Sequence, residues 1–236
     1  GVTRAAPPSR LYLQDYTGCV GKGGSGDAVR DLVAEGKGAL HGKALLEVIE
    51  SVKPTLIIGC TGKGGLFTEE VVTKMAAGCE RPAIFALSNP TANSECTAEE
   101  AYVWTQGRAV FASGSPMGEV DLDGKRLIPS QCNNMYIFPG VGLGASLAGA
   151  KRVTDKMFIV AAQAVADSLS PEELAEGRVF PKIHTIRDVS KAVGIAVYKC
   201  ALEEEVATIY PKERETVEEN VTRRFYDPTY VPLVRE

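Results

Sequence analysis

The chain of 236 residues lacks several features that would assign it to a functional class at once. It has two histidines, and none of its six cysteines forms a Cys-x-x-Cys pair, so the common zinc-binding patterns are excluded. Its 30 acidic residues outnumber its 26 basic ones, which argues against nucleic acid as a partner because phosphate binding needs clustered Lys and Arg. No apolar run approaches the roughly 20 residues of a membrane-spanning helix, so no membrane partner is expected.

Recognisable acid–base machinery is also missing. The sequence has no Ser-His-Asp arrangement, no His-Glu-x-x-His motif and no pair of carboxylates at a metal-binding spacing. Its paired glutamates, Glu69-Glu70 and Glu99-Glu100, stand where helices are predicted to begin and are explained by the favourable effect of negative charge there. We therefore assign no catalytic residue and no metal ligand within this chain.

What the sequence does contain is an alternation of short apolar strands and amphipathic helices. The predicted strands are nearly continuous apolar runs at residues 11–14, 55–58, 83–87 and 109–112. The predicted helices cover residues 40–52 and segments that begin at Thr68 and Thr97. This alternation predicts an α/β fold, a Rossmann-like parallel sheet with helices on both faces, of the kind that binds nucleotides.

Beyond Pro139 the sequence is mainly helical. The predicted helices cover residues 140–151, 154–168, 171–176, with Ser170 as N-cap and Pro171 at the first helical position, and 187–208. From Tyr210 the chain is polar and interrupted by proline, which favours an extended arm. We therefore predict a dinucleotide-binding domain with C-terminal helices over residues 1–208 and an extended tail over residues 209–236.

Candidate binding residues follow the predicted strands, where parallel sheets bind ligands. Asp15 stands where an acid would bind ribose hydroxyls, although a turn aspartate is the alternative. The glycine-rich turn that contains Cys60, Thr61 and Gly62 either lets a ligand approach the backbone or simply forms a tight connection. Asn89 and the pair Asn133-Asn134 offer amides for a carboxamide or a carboxylate, or serve as turn residues.

Two other glycine clusters, at residues 18–27 and 140–144, do not meet the pattern of a phosphate-binding loop. The first contains no Gly-x-Gly-x-x-Gly that opens a helix directly. The second follows Phe138-Pro139 rather than a strand. Close packing between helices is the better interpretation of the second cluster.

Longer motifs resemble those of the malic enzymes. They are LYLQDYTGCVGKG (11–23), KPTLIIGCTGKGGLFTEEVV (53–72), ERPAIFALSNPTANSECTAEEAYVWTQGRAVFASGSP (80–116), QCNNMYIFPGVGLG (131–144) and GRVFPKIHTIRDVS (177–190). The resemblance implies oxidative decarboxylation of (S)-malate to pyruvate and carbon dioxide, reduction of NAD or NADP, and a need for Mg²⁺ or Mn²⁺. The related malolactic enzymes share these motifs, so a malolactic enzyme fragment is an alternative, and a non-catalytic nucleotide-binding module is another.

The resemblance also implies roles for individual residues. Those implied to bind the cofactor are Asp15, beside the adenosine ribose, then Cys60, Thr61 and Gly62, and Asn89 near the nicotinamide. Those implied to bind the substrate are Asn89, Asn133 and Asn134. Malic enzymes usually have glycine where Ser130 and Cys132 stand here, which leaves the reach of Asn134 open. Lys22 and Arg30 are candidates for binding the 2′-phosphate of NADP, with exposure to solvent alone as the alternative.

The malic enzyme motifs that precede residues 11–15 have no counterpart in this chain. They include the Gly-x-Gly-x-x-Ala loop, the catalytic tyrosine and lysine, a substrate arginine and the metal-binding acids. We therefore expect a sheet that lacks its first βα unit, in a fragment that is inactive alone and forms homo-oligomers through exposed strand edges. Reduced cysteines and the resemblance favour a cytoplasmic or mitochondrial location.

Overall fold

The computed structural model describes residues 12, 14–15, 18–19, 40, 42–226 and 228. The chain divides into two compact units. The first consists of Gly1–Asn133 and Pro171–Phe180, and the second of Asn134–Ser170 and Pro181–Glu236. In the described part, every helix is too short or too polar to cross a lipid bilayer.

The first unit is built on a parallel sheet. Its strands in chain order are β1 (Gln14–Asp15), β2 (Gly18–Cys19), β3 (Leu56–Gly59), β4 (Ala83–Ala86), β5 (Val110–Ser113), β6 (Val120–Leu122), β7 (Lys125–Leu127) and β8 (Ser130–Gln131). The parallel sheet has the order β3-β4-β5-β8, so neighbouring strands follow one another along the chain. The three strands predicted beyond residue 50 are confirmed to within one residue at each end, and so is the parallel, Rossmann-like sheet with helices on both faces.

The helices of the first unit include two that start directly after the predicted capping residues Thr68 and Thr97, and one that starts at Leu45, five residues later than predicted. They are α1 (Leu45–Val52), α2 (Glu69–Gly78) and α3 (Ala98–Trp104), with the short α6 (Pro171–Ala175) later in the chain. The Thr68 hydroxyl accepts a hydrogen bond from Val71 N–H, and Thr97 forms a full capping box with Glu100. The core between sheet and helices is apolar and buries Val72, Ile84, Ala86, Ala101 and Phe111.

The strand predicted at residues 11–14 is not part of the parallel sheet in the described residues. Gln14–Asp15 instead pairs antiparallel with Gly18–Cys19. The physical reason is the connection of two residues, since only antiparallel neighbours can be joined by so short a link. The prediction of Asp15 at the carboxyl end of a parallel strand is therefore not supported by this pairing.

The antiparallel hairpin of β6 and β7 was not predicted. Its signal in the sequence is Asp123-Gly124, a dipeptide typical of tight hairpin turns because both residues adopt positive φ. The observed φ values of 53° for Asp123 and 76° for Gly124 agree with that turn. The two-residue strand β8 is too short to leave a sequence pattern.

The second unit is helical. It contains α4 (Phe138–Leu147), α5 (Asp155–Asp167), α7 (Ile186–Glu203) and α8 (Val217–Arg224). The helices predicted at 154–168 and 187–208 correspond to α5 and α7, and the one at 140–151 to α4. Helix α8 lies inside the segment predicted as an extended tail. Thr216 and Glu219 form its capping box, which is the signal that locates it.

Close packing explains two glycines of the cluster at 140–144. A Cβ added to Gly140 would lie 2.5 Å from Val193 Cβ on α7, and one added to Gly144 would lie 2.5 Å from the Gly194 carbonyl oxygen. Gly142 of the same helix has no such neighbour within 4 Å. Packing against α7 therefore requires glycine at two of the three positions.

Gly140→Ala is expected to lower the free energy of unfolding by about 1–3 kcal/mol, because the new methyl group overlaps Val193 and forces the helices apart. Gly142→Ala in the same helix is the matched control. It is expected to raise stability by up to about 1 kcal/mol, since alanine favours helix and meets open space. Urea unfolding measures both, and equal effects of the two substitutions would contradict the packing argument.

Candidate functional site

The candidate site lies at the carboxyl edge of the parallel sheet. The turns that follow β3, β4, β5 and β8 meet there because parallel strands all end at one edge. Among the residues predicted from sequence, those brought to this edge of the first unit are Cys60, Thr61, Gly62, Asn89 and Asn133.

The turn after β3 presents Cys60, Thr61 and Gly62, all of which are exposed. Gly62 has a φ of 69°, in the left-handed region, and a Cβ added there would have no neighbour within 4 Å. Glycine is therefore required by the backbone conformation and leaves the surface beside it open. The Gly62 N–H donates to the Ser88 hydroxyl at 2.9 Å, which ties this turn to the one after β4.

A buried carboxylate, Glu95, lies beneath both turns and has no exposed surface. Its Oε1 accepts hydrogen bonds from Thr61 N–H at 3.1 Å, Thr61 Oγ1–H at 2.8 Å and Ser88 Oγ–H at 2.5 Å. Its Oε2 accepts from Ser88 N–H at 3.3 Å. Burial raises the pKa of this carboxyl, but the hydrogen bonds from Ser88 and Thr61 outweigh it and hold the pKa below the ordinary value of 4.5.

Asn89 is exposed at the end of the turn after β4. Its Oδ1 accepts a hydrogen bond from the Ser115 hydroxyl at 2.5 Å, and its Nδ2 lies 3.4 Å from the Leu87 carbonyl oxygen. The approach depends on Gly114, because a Cβ there would lie 2.6 Å from Asn89 Nδ2 and 2.3 Å from the Leu87 oxygen. Ser115 and Gly114 therefore hold the Asn89 amide in one orientation.

Asn133 lies at the same edge of the sheet, where its Nδ2 donates a hydrogen bond to the Gly114 carbonyl oxygen at 3.2 Å. The neighbouring Cys132 N–H donates to the Ser113 oxygen at 2.8 Å, which continues the pairing of β5 with β8. Asn134 belongs to the second unit, where it opens a 3₁₀ helix over Asn134–Tyr136 and is exposed. The Asp15 side chain, Lys22 and Arg30 lie outside the described residues.

The two thiols at this edge are protonated at neutral pH. Partial burial of the thiol, with a smaller contribution from Glu95, raises the pKa of Cys60 even though the residue as a whole is exposed. Burial and the nearby Cys60 raise the pKa of Cys132 to about 11. A thiol must ionise to act as a nucleophile, so neither residue is prepared for covalent chemistry.

Sequence reasoning missed Glu95, Ser88, Gly114 and Ser115. Local sequence carries no signal for Glu95, since its partner Thr61 is 34 residues away and its neighbours look like an ordinary turn. In the part of the chain that the structure describes, no three His, Cys, Asp or Glu side chains are grouped to hold a metal ion.

Comparison with known proteins gives a consistent result. The family model described as malic enzyme, NAD binding domain, matches residues 1–202. The NADP-dependent malic enzyme of Dictyostelium discoideum is 49% identical over 188 residues, which cover 80% of this chain and 34% of that protein. The NADP-dependent malic enzyme of Rattus norvegicus is 40% identical over 235 residues, covering 98% and 40%. The chain thus spans about two fifths or less of the length of these curated relatives.

Solved structures agree on the fold. The crystal structure of the Entamoeba histolytica malic enzyme superimposes with a TM-score of 0.72 at 20% identity, and the match covers 94% of this chain and 42% of that one. The malic enzyme of Pyrococcus horikoshii superimposes with a TM-score of 0.57 at 25% identity, covering 83% and 42%.

The stability of the chain is expected to depend on pH through Glu95. Because its pKa in the folded state is lowered, its ionised form contributes stability above about pH 4.5 that is lost as the pH falls through the folded-state pKa. Glu95→Gln should therefore lower the free energy of unfolding by about 1–3 kcal/mol at pH 6, since Ser88 N–H loses its acceptor, and by less near pH 3.

Urea unfolding from pH 6 to pH 3 measures this difference. Glu80→Gln, at an exposed position between α2 and β4, is the control and should change the free energy of unfolding by less than about 0.5 kcal/mol over this range. A Glu95→Gln deficit that stays constant over the whole range would contradict the lowered pKa.

Proposed function

This chain belongs to the malic enzyme family, as its NAD-binding domain, and we propose that it binds a nicotinamide dinucleotide at the carboxyl edge of its parallel sheet. We propose that this binding serves the oxidative decarboxylation of (S)-malate to pyruvate and carbon dioxide. The observation that carries the proposal is the meeting of an open glycine turn and an oriented asparagine at one edge, from separate strands.

The turn of Cys60, Thr61 and Gly62 fits the cofactor. Its residues are exposed, and the open space beside Gly62 lets a ligand contact the backbone directly. The bound dinucleotide supplies the nicotinamide ring that accepts a hydride from the substrate. Asp15 is the proposed ligand of the adenosine ribose. The relatives above are named NADP-dependent, and for this chain we propose NAD or NADP.

Asn89 is proposed to serve both cofactor and substrate. Ser115 donates to its amide oxygen and one Nδ2 hydrogen is directed at the Leu87 oxygen, so the second Nδ2 hydrogen is the donor that can face a ligand. Amide donors suit a carboxylate of malate or the carboxamide of the nicotinamide. Asn133 and Asn134 are proposed as further substrate ligands, and their amides offer the same chemistry.

The remaining chemistry is assigned to the part of the malic enzymes that this chain does not span. That part would contribute the acid, the base and the ligands for Mg²⁺ or Mn²⁺, which would polarise the substrate carbonyl. A homo-oligomer is proposed because β3 ends the described sheet with Leu56 and Ile58 exposed by 43% and 54%. A cytoplasmic or mitochondrial location is also proposed, and one human relative is named mitochondrial.

Calorimetric titration of the chain with NADP⁺ and NAD⁺ tests cofactor binding. Gly62→Ala is expected to weaken binding about tenfold or more, because it strains the turn and fills the open space beside it. Gly124→Ala is the matched control. Gly124 also has a positive φ and no neighbour within 4 Å, but it lies in the turn between β6 and β7.

The control should lose a similar amount of stability while its dissociation constant stays within about twofold of wild type. Absence of binding to the wild-type chain would refute the proposed cofactor site. Equal loss of affinity in both variants would mean that stability alone governs binding.

The isolated chain is expected not to reduce NADP⁺ or NAD⁺ with (S)-malate, even with Mn²⁺ present, because the described residues offer no grouped metal ligands. Absorbance of the reduced nicotinamide measures this. Turnover that requires malate would show that the chain carries its own catalytic residues and would overturn the assignment of the chemistry to another part of the protein.

A further inference from the structure

The hydrogen bonds around Glu95 form a chain in which each donor and acceptor can be assigned. The chain ends at Gly62, in the turn after β3. Ser88 has one hydroxyl hydrogen, and it points to Glu95 Oε1 at 2.5 Å. The hydroxyl oxygen is therefore left to accept, and the donor that it meets is the Gly62 N–H at 2.9 Å. The direction of each bond follows from the carboxylate, because an ionised carboxyl group can only accept.

A second branch from Glu95 holds the residue before Gly62. Thr61 donates both its N–H and its hydroxyl hydrogen to Oε1. With that hydrogen committed, the Thr61 hydroxyl oxygen accepts from Lys63 N–H at 3.1 Å. Three consecutive residues of the turn, Thr61 to Lys63, are thus oriented directly or indirectly by one buried carboxylate.

The backbone at Gly59 leaves room for this carboxylate because glycine has no side chain. A Cβ added to Gly59 would lie 2.4 Å from Glu95 Cδ, so glycine at the end of β3 is what lets the carboxylate reach the turn. The Glu95 carbonyl oxygen accepts a hydrogen bond from Phe67 N–H at 3.0 Å. This bond fixes the Glu95 backbone beside the residues that precede α2. The carboxylate itself has no exposed surface and cannot touch a ligand in this conformation.

We propose that Glu95 is a positioning residue that sets the affinity for the nicotinamide dinucleotide by fixing the orientation of the Thr61 to Lys63 turn through Ser88 and Thr61. This inference rests on the proposed cofactor function. A residue that only stabilises the fold would not have this effect, because an equal loss of stability elsewhere in the unit should leave the affinity for the dinucleotide unchanged.

Glu95→Gln and Ser88→Ala test the proposal, each in the full 236-residue chain. Glutamine turns an NH₂ group toward Ser88 N–H, and alanine at position 88 removes the link to Gly62 while Glu95 stays. Thr105→Val is the matched control. Thr105 is also fully buried, and its hydroxyl donates to the Ala101 carbonyl oxygen and accepts from Ala109 N–H, but these residues lie on α3 and before β5.

Calorimetry with NADP⁺ and NAD⁺ gives the first readout. Both test variants should bind about tenfold more weakly or worse. Thr105→Val should stay within about twofold of wild type under conditions where all variants are folded. A wild-type affinity in Glu95→Gln and Ser88→Ala, or an equal loss in Thr105→Val, would overturn the role of Glu95 while leaving the proposed function in place.

Amide hydrogen exchange of the ligand-free chain gives a readout that does not need the cofactor. The amides of Thr61, Gly62 and Ser88 should exchange faster in Glu95→Gln than in Thr105→Val. If the wild-type chain binds neither nucleotide, the proposed function and the affinity claim both fail, and the exchange rates still decide whether Glu95 orients the turn. Unchanged exchange at these amides would refute that orientation.

Discussion

Parallel pairing requires the strands of a sheet to end at the same edge, and the candidate site depends on this constraint. Leu56 pairs with Ala83, and Ala83 in turn pairs with Val110, so the three strands are aligned from their first residues. Each of these strands has four residues, so strands that start together also end together. The turns after Gly59, Ala86 and Ser113 therefore meet, although they are far apart in sequence. A shift of one strand by a single residue would turn its buried side chains to the opposite face of the sheet. Burial of these side chains in the apolar core therefore favours the observed register.

The strand ends also create a problem, because backbone groups beyond the last pair lose their partners. Backbone hydrogen bonds extend the pairing by one step, from Leu87 N–H to the Gly59 oxygen and from Gly114 N–H to the Ala86 oxygen. Beyond that point no strand offers an acceptor to the backbone N–H groups of the turns. Side chains accept from them instead: Glu95 from Thr61 and Ser88, and the Ser88 hydroxyl from Gly62. A buried carboxylate is stable there because four donors converge on it, and unpaired burial of the charge would be costly.

The sequence was informative where structure depends on neighbouring residues and uninformative where it depends on distant ones. Thr68 and Thr97 located two helix starts because a cap acts within one turn. The hairpin at Asp123-Gly124 and the helix after Thr216 also have local signals, a turn dipeptide and a capping box. Glu95 had none, because its burial follows from contacts that only the folded sheet creates.

The glycines at the candidate site further explain why a search for a single phosphate-binding pattern is a poor guide here. Gly59 is required because a side chain would occupy the space of Glu95, Gly62 because the backbone has a positive φ, and Gly114 because the Leu87 carbonyl oxygen approaches closely. These are three different constraints: Gly59 ends β3, Gly62 lies in the turn that follows β3, and Gly114 follows β5. The strand–helix units between Gly62 and Gly114 set the distance from the first two glycines to the third, so no short motif can contain all three. Only the constraint at Gly62 leaves open surface beside it, which is why that turn, rather than the glycines as a group, is the place where a ligand can meet the backbone.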